Sequence, residues 1–243
     1  KKNSNESEIW IFGGSTSNKG FCDSKNHSWA DFLDTKYKVR NFSKNGVYSD
    51  YSLNILQHQL QYNKPELIIW ANKVNEIIYA KRQAGIKNIF LKNIQSVKKT
   101  FKKNSVFFYF FDEIILRIFD KLGLNIRLEN HDLSDEGYKI ASNNFYENSK
   151  KAIELAKKNN ISKFYIVSLF NRINLRNTER IFYSYYMDKV IKLKKEYIFV
   201  NFINTKNYLD KHDKEKILFC DSMHQTLEGK KLTGKIISKE IND

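Results

Sequence analysis

Glu8-Ile9-Trp10-Ile11-Phe12-Gly13-Gly14-Ser15 is the stretch on which the reading of this chain turns. Ile9 to Phe12 are apolar without alternation, the pattern of a strand covered on both faces. Two glycines end the run and a serine follows at once. A serine so placed is carried to the edge of a sheet, with its own backbone N–H open to an anion. Two other readings of the turn fail. A phosphate-cradling loop needs Gly-Lys-Ser/Thr after its spacer, and here the order is Asn18-Lys19-Gly20. A Gly-x-Ser-x-Gly elbow needs a closing glycine, and Ser17 stands there instead.

Outward from this stretch, strands alternate with helices. Tyr37 to Asn41 reads as a second strand. Asp50 to Tyr62 puts Leu53, Leu56 and Leu60 on one helical face, Pro65 stops it, and Leu67 to Trp70 is a third strand. Ile86 to Leu122 has a helical pattern, within which Phe107 to Phe111 fits helix or strand. Asn125 to Gly137 is polar and reads as a loop. Tyr138 to Asn159 is a helix, Phe164 to Phe170 a fourth strand, Thr178 to Lys195 a helix, Tyr197 to Phe202 a fifth strand, and Leu227 to Ile241 a last helix. This order predicts an α/β fold, a parallel sheet with helices on both faces. One domain over residues 1–243 is expected, with a helical insertion over about 77–137 beside the site. Ligands bind at the carboxyl ends of the strands in such sheets.

Composition narrows the class. A chain of 243 residues with 41% hydrophobic residues buries a large core and is not a disordered chain. No apolar run approaches the ~20 residues of a membrane helix, and no signal peptide is visible. Those features favour the cytoplasm, and removal of an N-terminal anchor would instead point to the cell envelope. The net charge of +15 invites a nucleic-acid reading. The lysines are spread along the chain, however, and the densest group, Lys98, Lys99, Lys102 and Lys103, lies on an amphipathic helical stretch. No nucleic-acid motif accompanies them, so a solvated basic surface and no specific nucleic-acid partner is the expectation.

Three further segments could carry chemistry, each with an ordinary alternative. Gly46, in Asn41-Phe42-Ser43-Lys44-Asn45-Gly46, follows the second strand and permits close backbone approach to a ligand, or is a turn glycine. Asn72 and Asn75 follow the third strand, where an asparagine can donate to an oxyanion or cap a helix. Asp221 and His224 lie three apart ahead of the last helix, spaced for a base and its orienting carboxylate. They also read as a capping aspartate and a surface histidine. His27, His58, His131 and His212 have no comparable partner in the sequence.

Together, and in order from Ile9 to Ile237, these segments resemble the sequence blocks of the SGNH (GDSL-type) hydrolase family. Ser15 matches the nucleophile of the first block, Gly46 the glycine of the second, supported by Asn41 and Ser43, and Asn75-Glu76 the third. Asp221 and His224 match the last block, with Gly229 shortly after. Gly13-Gly14-Ser15-Thr16, with Ser28-Trp29, looks like a bacterial branch carrying GGST. Gly14 departs from the name-giving aspartate, and Lys73 from the usual glycine two before Asn75. Asn72 is therefore the other candidate amide, although the block match favours Asn75.

The resemblance implies a three-layer α/β/α flavodoxin-like sandwich and a serine esterase needing no metal or organic cofactor. The implied triad is Ser15, His224 and Asp221, and the implied oxyanion donors are the Ser15 and Gly46 N–H groups and the Asn75 side chain. An acetyl group on a carbohydrate is the expected substrate, and O-acyl transfer to a glycan the alternative. A catalytically inactive binding module is a further reading that the intact triad argues against. The aromatic segment Ile181 to Met187 reads as core more readily than as a sugar site. Cys22 follows the Ser15 loop and Cys220 precedes Asp221, so the two should approach each other. No CxxC spacing exists, which excludes a zinc ribbon. Free thiols are the expectation, since pairing requires export.

Overall fold

The protein is described here as a computed structural model, covering residues 7–20, 22–23, 25–73, 75–76, 135–169, 177–209, 215–221 and 223–242. Among the described residues five strands, β1 (Glu8–Gly13), β2 (Lys38–Asn41), β3 (Leu67–Ala71), β4 (Lys163–Ser168) and β5 (Val200–Asn204), form one all-parallel sheet in the order β2-β1-β3-β4-β5. This is the flavodoxin-like order, whose switch point lies between β1 and β3.

Alternation along each strand divides the core in two. Trp10, Phe12, Ile68, Trp70, Phe164 and Ile166 face the layer built by α1 (Ser49–Gln59), α2 (Asp135–Lys158) and α3 (Asn177–Glu196). Ile9, Ile11, Leu67, Ile69, Tyr165 and Val167 face α4 (Leu227–Asn242) and a 3-10 turn at Trp29–Phe32. Helices on both faces make three layers. The two tryptophans of the first face are fully buried, and truncating either to alanine costs roughly 3–5 kcal/mol. The indole of Trp70 keeps its donor satisfied on Ser149 Oγ at 3.0 Å.

Some boundaries differ from those read in the sequence. The fifth strand begins at Val200, not Tyr197, because residues 197–199 turn off the end of α3: Tyr197 N–H donates to Leu193, and Val200 N–H to Tyr197. The fourth strand ends at Ser168, and the next carbonyl, of Leu169, accepts from the Lys73 ammonium. Helix α2 begins at Asp135, inside the expected loop. The expected helical insertion, apart from its last three residues, and the Lys98–Lys103 group lie outside the described residues. Among the described residues, no helix is long and apolar enough to cross a membrane.

Candidate active site

The carboxyl ends of β1, β2 and β3 carry three loops that meet. β1 runs out through Gly13 and Gly14 into a turn closed by Ser17 N–H on the Gly14 carbonyl at 3.0 Å. Asn41, at the end of β2, fastens that turn by donating Nδ2 to the Ser17 carbonyl at 2.8 Å. Its Oδ1 accepts from Ser43 N–H at 3.0 Å. The Asn-x-Ser pattern of the sequence is thus a brace between the first two loops. A second brace runs from Asn18 Nδ2 to Asn45 Oδ1 at 2.9 Å.

Ser15 is half-buried at the head of the turn. Its Oγ lies 3.0 Å from His224 Nε2, and His224 Nδ1 lies 2.6 Å from Asp221 Oδ2. The ring therefore donates to Asp221 from Nδ1 and accepts the Ser15 hydroxyl at Nε2. The loop holding the pair is built by its own bonds. Asp221 Oδ1 accepts from the backbone N–H of Met223 at 2.7 Å and of His224 at 2.6 Å. Cys220 N–H closes the turn on the His224 carbonyl at 3.1 Å. Partial burial alone would raise the Asp221 pKa. The hydrogen bonds from His224 and Met223 outweigh it, so the carboxyl sits below its ordinary value.

Gly46 is exposed with φ +70°, a conformation that favours glycine, and a Cβ there would meet nothing within 4 Å. Asn75 is buried, and its Nδ2 donates to the Val47 carbonyl at 2.6 Å. The same amide packs so closely over Gly14 that a Cβ on Gly14 would overlap it. This accounts for the departure from the name-giving aspartate: the room for a side chain before the nucleophile is taken by Asn75. Among the described residues, no acceptor takes the Ser15 or Gly46 backbone N–H. Asn72 points elsewhere, its Oδ1 accepting from Ser52 Oγ at 3.1 Å. Lys73 replaces the usual glycine with a buried ammonium that donates to Ser168 Oγ and the Leu169 carbonyl at 3.1 and 2.8 Å, tying β3 to β4.

The fold is shared with proteins of known structure. A GDSL-like lipase from Bacteroides thetaiotaomicron superposes with a TM-score of 0.56, at 15% identity, covering 98% of this chain and 88% of that one. A member of the lipolytic protein G-D-S-L family from Veillonella parvula gives 0.57 at 13% identity, over 97% and 98%. The lipase/acylhydrolase from Enterococcus faecalis gives 0.55 at 12%, over 97% and 95%. The fold is that of the GDSL-type hydrolases. No family model and no curated protein sequence matches the chain.

The structure brings Ser15, Asp221, His224, Gly46 and Asn75, the residues singled out in the sequence, to one edge of the sheet at the β1/β3 switch point. A second Asp–His pair was not anticipated from the sequence. His27 Nδ1 lies 2.8 Å from Asp23 Oδ2. Burial would raise the Asp23 pKa, but bonds from Lys25 and His27 hold it at about 2. Lys230 Nζ stands 3.9 Å from the same oxygen. The four-residue spacing of Asp23 and His27 was the available signal. The expectation of free thiols is corrected: Cys22 and Cys220 are joined as a disulfide with Cα atoms 5.9 Å apart, inside the usual range for such a bond. With Asp221 they make the one group of metal-donor atoms found among the described residues, but sulfurs bonded to each other offer no thiolate ligands. In the aromatic segment, Phe182 and Tyr186 are core. Tyr183 sits at the sheet edge, its hydroxyl accepting from Asn204 Nδ2 at 3.0 Å.

Proposed function

We propose that this protein is a serine esterase acting through an acyl-enzyme. The observation that carries the reading is the unbroken chain Ser15 Oγ, His224, Asp221, with contacts of 3.0 and 2.6 Å. His224 Nε2 takes the Ser15 proton as Oγ attacks the ester carbonyl. Asp221 holds the ring and offsets its charge once protonated. The oxyanion is received by the Ser15 and Gly46 N–H groups and by the second Asn75 amide hydrogen, the first being held on Val47. His224 then returns the proton to the leaving alcohol, and water releases the acyl group. No step calls for a cofactor.

The substrate we infer is a small acyl group, acetyl, on a carbohydrate. The paired cysteines favour an oxidising compartment, and so a cell-envelope glycan. The deciding experiment supplies acetylated oligosaccharides and aryl acetates to the protein and follows products by mass. Free acetate from the sugar, at a rate above that from the aryl ester, is expected. Acetyl transfer to added oligosaccharide faster than release of acetate would make the protein an O-acyltransferase. No turnover of any ester would remove the esterase reading.

A further inference from the structure

Gly46 poses a mechanical problem. It is exposed, at positive φ, with no neighbour where its side chain would be. A glycine in open space does not hold its own N–H in one direction, yet an oxyanion donor is useful only when its direction is fixed beforehand. The three residues after Gly46 are gripped at two points. The Val47 carbonyl accepts from Asn75 Nδ2 at 2.6 Å. The Ser49 backbone N–H donates to Glu76 Oε1, also at 2.6 Å. The two gripping residues are consecutive.

Ser49 opens α1, and Tyr48 before it makes no side-chain cap bond. The first N–H of this helix is therefore satisfied from 27 residues away, by a carboxyl 1% exposed. The Ser49 hydroxyl accepts in turn from Asn148 Nδ2 on α2 at 2.9 Å, so the grip is backed by the helical layer. At its other end, Glu76 N–H closes a turn on the Lys73 carbonyl at 3.2 Å. Lys73 is itself pinned to the end of β4.

We propose that Glu76 is a positioning residue, whose carboxyl, by holding the start of α1 against the β3 loop, keeps the Gly46 N–H and the Asn75 amide in a fixed mutual geometry. The functional part of this inference rests on the esterase reading above, while the clamp itself does not. A displacement of about 1 Å in a donor can cost on the order of 100-fold in rate, so a residue that never meets substrate can still govern turnover.

The test compares Glu76→Ala with Glu76→Gln, which keeps an oxygen for the Ser49 N–H. Each is checked by thermal melt, by kcat and KM on an aryl acetate, and by NMR of the Gly46 backbone and Asn75 side-chain amides. Expected for Glu76→Ala are a fall in kcat of roughly 10- to 100-fold, little change in KM, and displaced or broadened Gly46 and Asn75 signals. Glu76→Gln should restore most of the rate and the signal positions. Adding Asn75→Ala to Glu76→Ala should cost little beyond Asn75→Ala alone, because the two act as a unit. Should Glu76→Ala fail to fold, Glu76→Asp, too short to reach Ser49 from the same backbone, is read in its place. Unmoved Gly46 and Asn75 signals in a folded variant overturn the proposal whatever happens to turnover. So does a Glu76→Gln variant as damaged as Glu76→Ala. A wild-type protein that turns over no ester removes the esterase reading and leaves the clamp to be decided by the NMR measurement.

Discussion

His224 Nε2 stands 3.0 Å from Ser15 Oγ across a sequence separation of 209 residues. In the proposed mechanism a hydroxyl so held is deprotonated as it attacks, so removing either partner removes the step. Ser15→Ala and His224→Ala should each lower kcat by roughly 10⁴- to 10⁶-fold, about equally, because such residues act as a unit. A fluorophosphonate should label wild type at Ser15 and leave Ser15→Ala unlabelled. Labelling that persists in Ser15→Ala would show the nucleophile to be elsewhere.

Asp221 does two jobs with two oxygens: Oδ2 meets the ring, and Oδ1 accepts the Met223 and His224 N–H groups. Asp221→Asn retains an oxygen but not the charge, and should cost less than Ser15→Ala, on the order of 10⁴-fold. Asp221→Ala also releases the two backbone donors, so its melting temperature should fall as well. Steady-state kinetics beside thermal melts of both variants separate the roles. Equal melts for the two would argue against the structural half.

Gly14 leaves room for the Asn75 amide, which a Cβ there would overlap. Gly14→Ala should push Asn75 off its bond to Val47 and cost on the order of 10²-fold in kcat. Pairing it with Asn75→Ala should lose little more. A fully active Gly14→Ala would mean that Asn75 does not need its present position.

Burial lifts the Glu76 carboxyl to about 7, against bonds from Ser49 that lower it, and Asp50 adds to the rise. Its ordinary value is 4.5. Between these two values the folded protein keeps a proton that the unfolded chain has released. Glu76 therefore supports stability fully below pH 4.5, and that support declines as pH rises to about 7. The loss across the window is on the order of 3 kcal/mol. Melting temperatures of wild type should fall through this window more steeply than those of Glu76→Gln. Parallel profiles would contradict the assignment.

Cys22–Cys220 closes a span of 198 residues and stands beside the Asp221–His224 turn. Replacing both cysteines by serine should cost roughly 2–5 kcal/mol of stability, and kcat should fall as the turn loosens. Intact mass before and after reduction, without denaturant, reads the bond: a gain of two hydrogens is expected. An unchanged mass and an unaffected melt would show free thiols.

The sequence by itself determined the class of fold and named the candidate site residues. Burial on both faces writes itself into Ile9–Phe12 and Leu67–Trp70 as unbroken apolar runs, and helical spacing into Leu53 and Leu56, because these periods are local properties of the backbone. Residues just past strand ends were legible for the same reason, which is how Ser15, Gly46 and Asn75 could be picked out, while Asp221 and His224, ahead of the last helix, stood out by their spacing. Tertiary structure alone decided which of them meet, that Asn75 and not Asn72 lies over Gly14, and that Glu76 reaches Ser49. It also joined Cys22 to Cys220 and gave Lys73 its partners across β4. Those contacts depend on strand order and loop course, which bring together residues tens to hundreds of positions apart. No local period records them, since they form only when the sheet closes and burial excludes the alternatives.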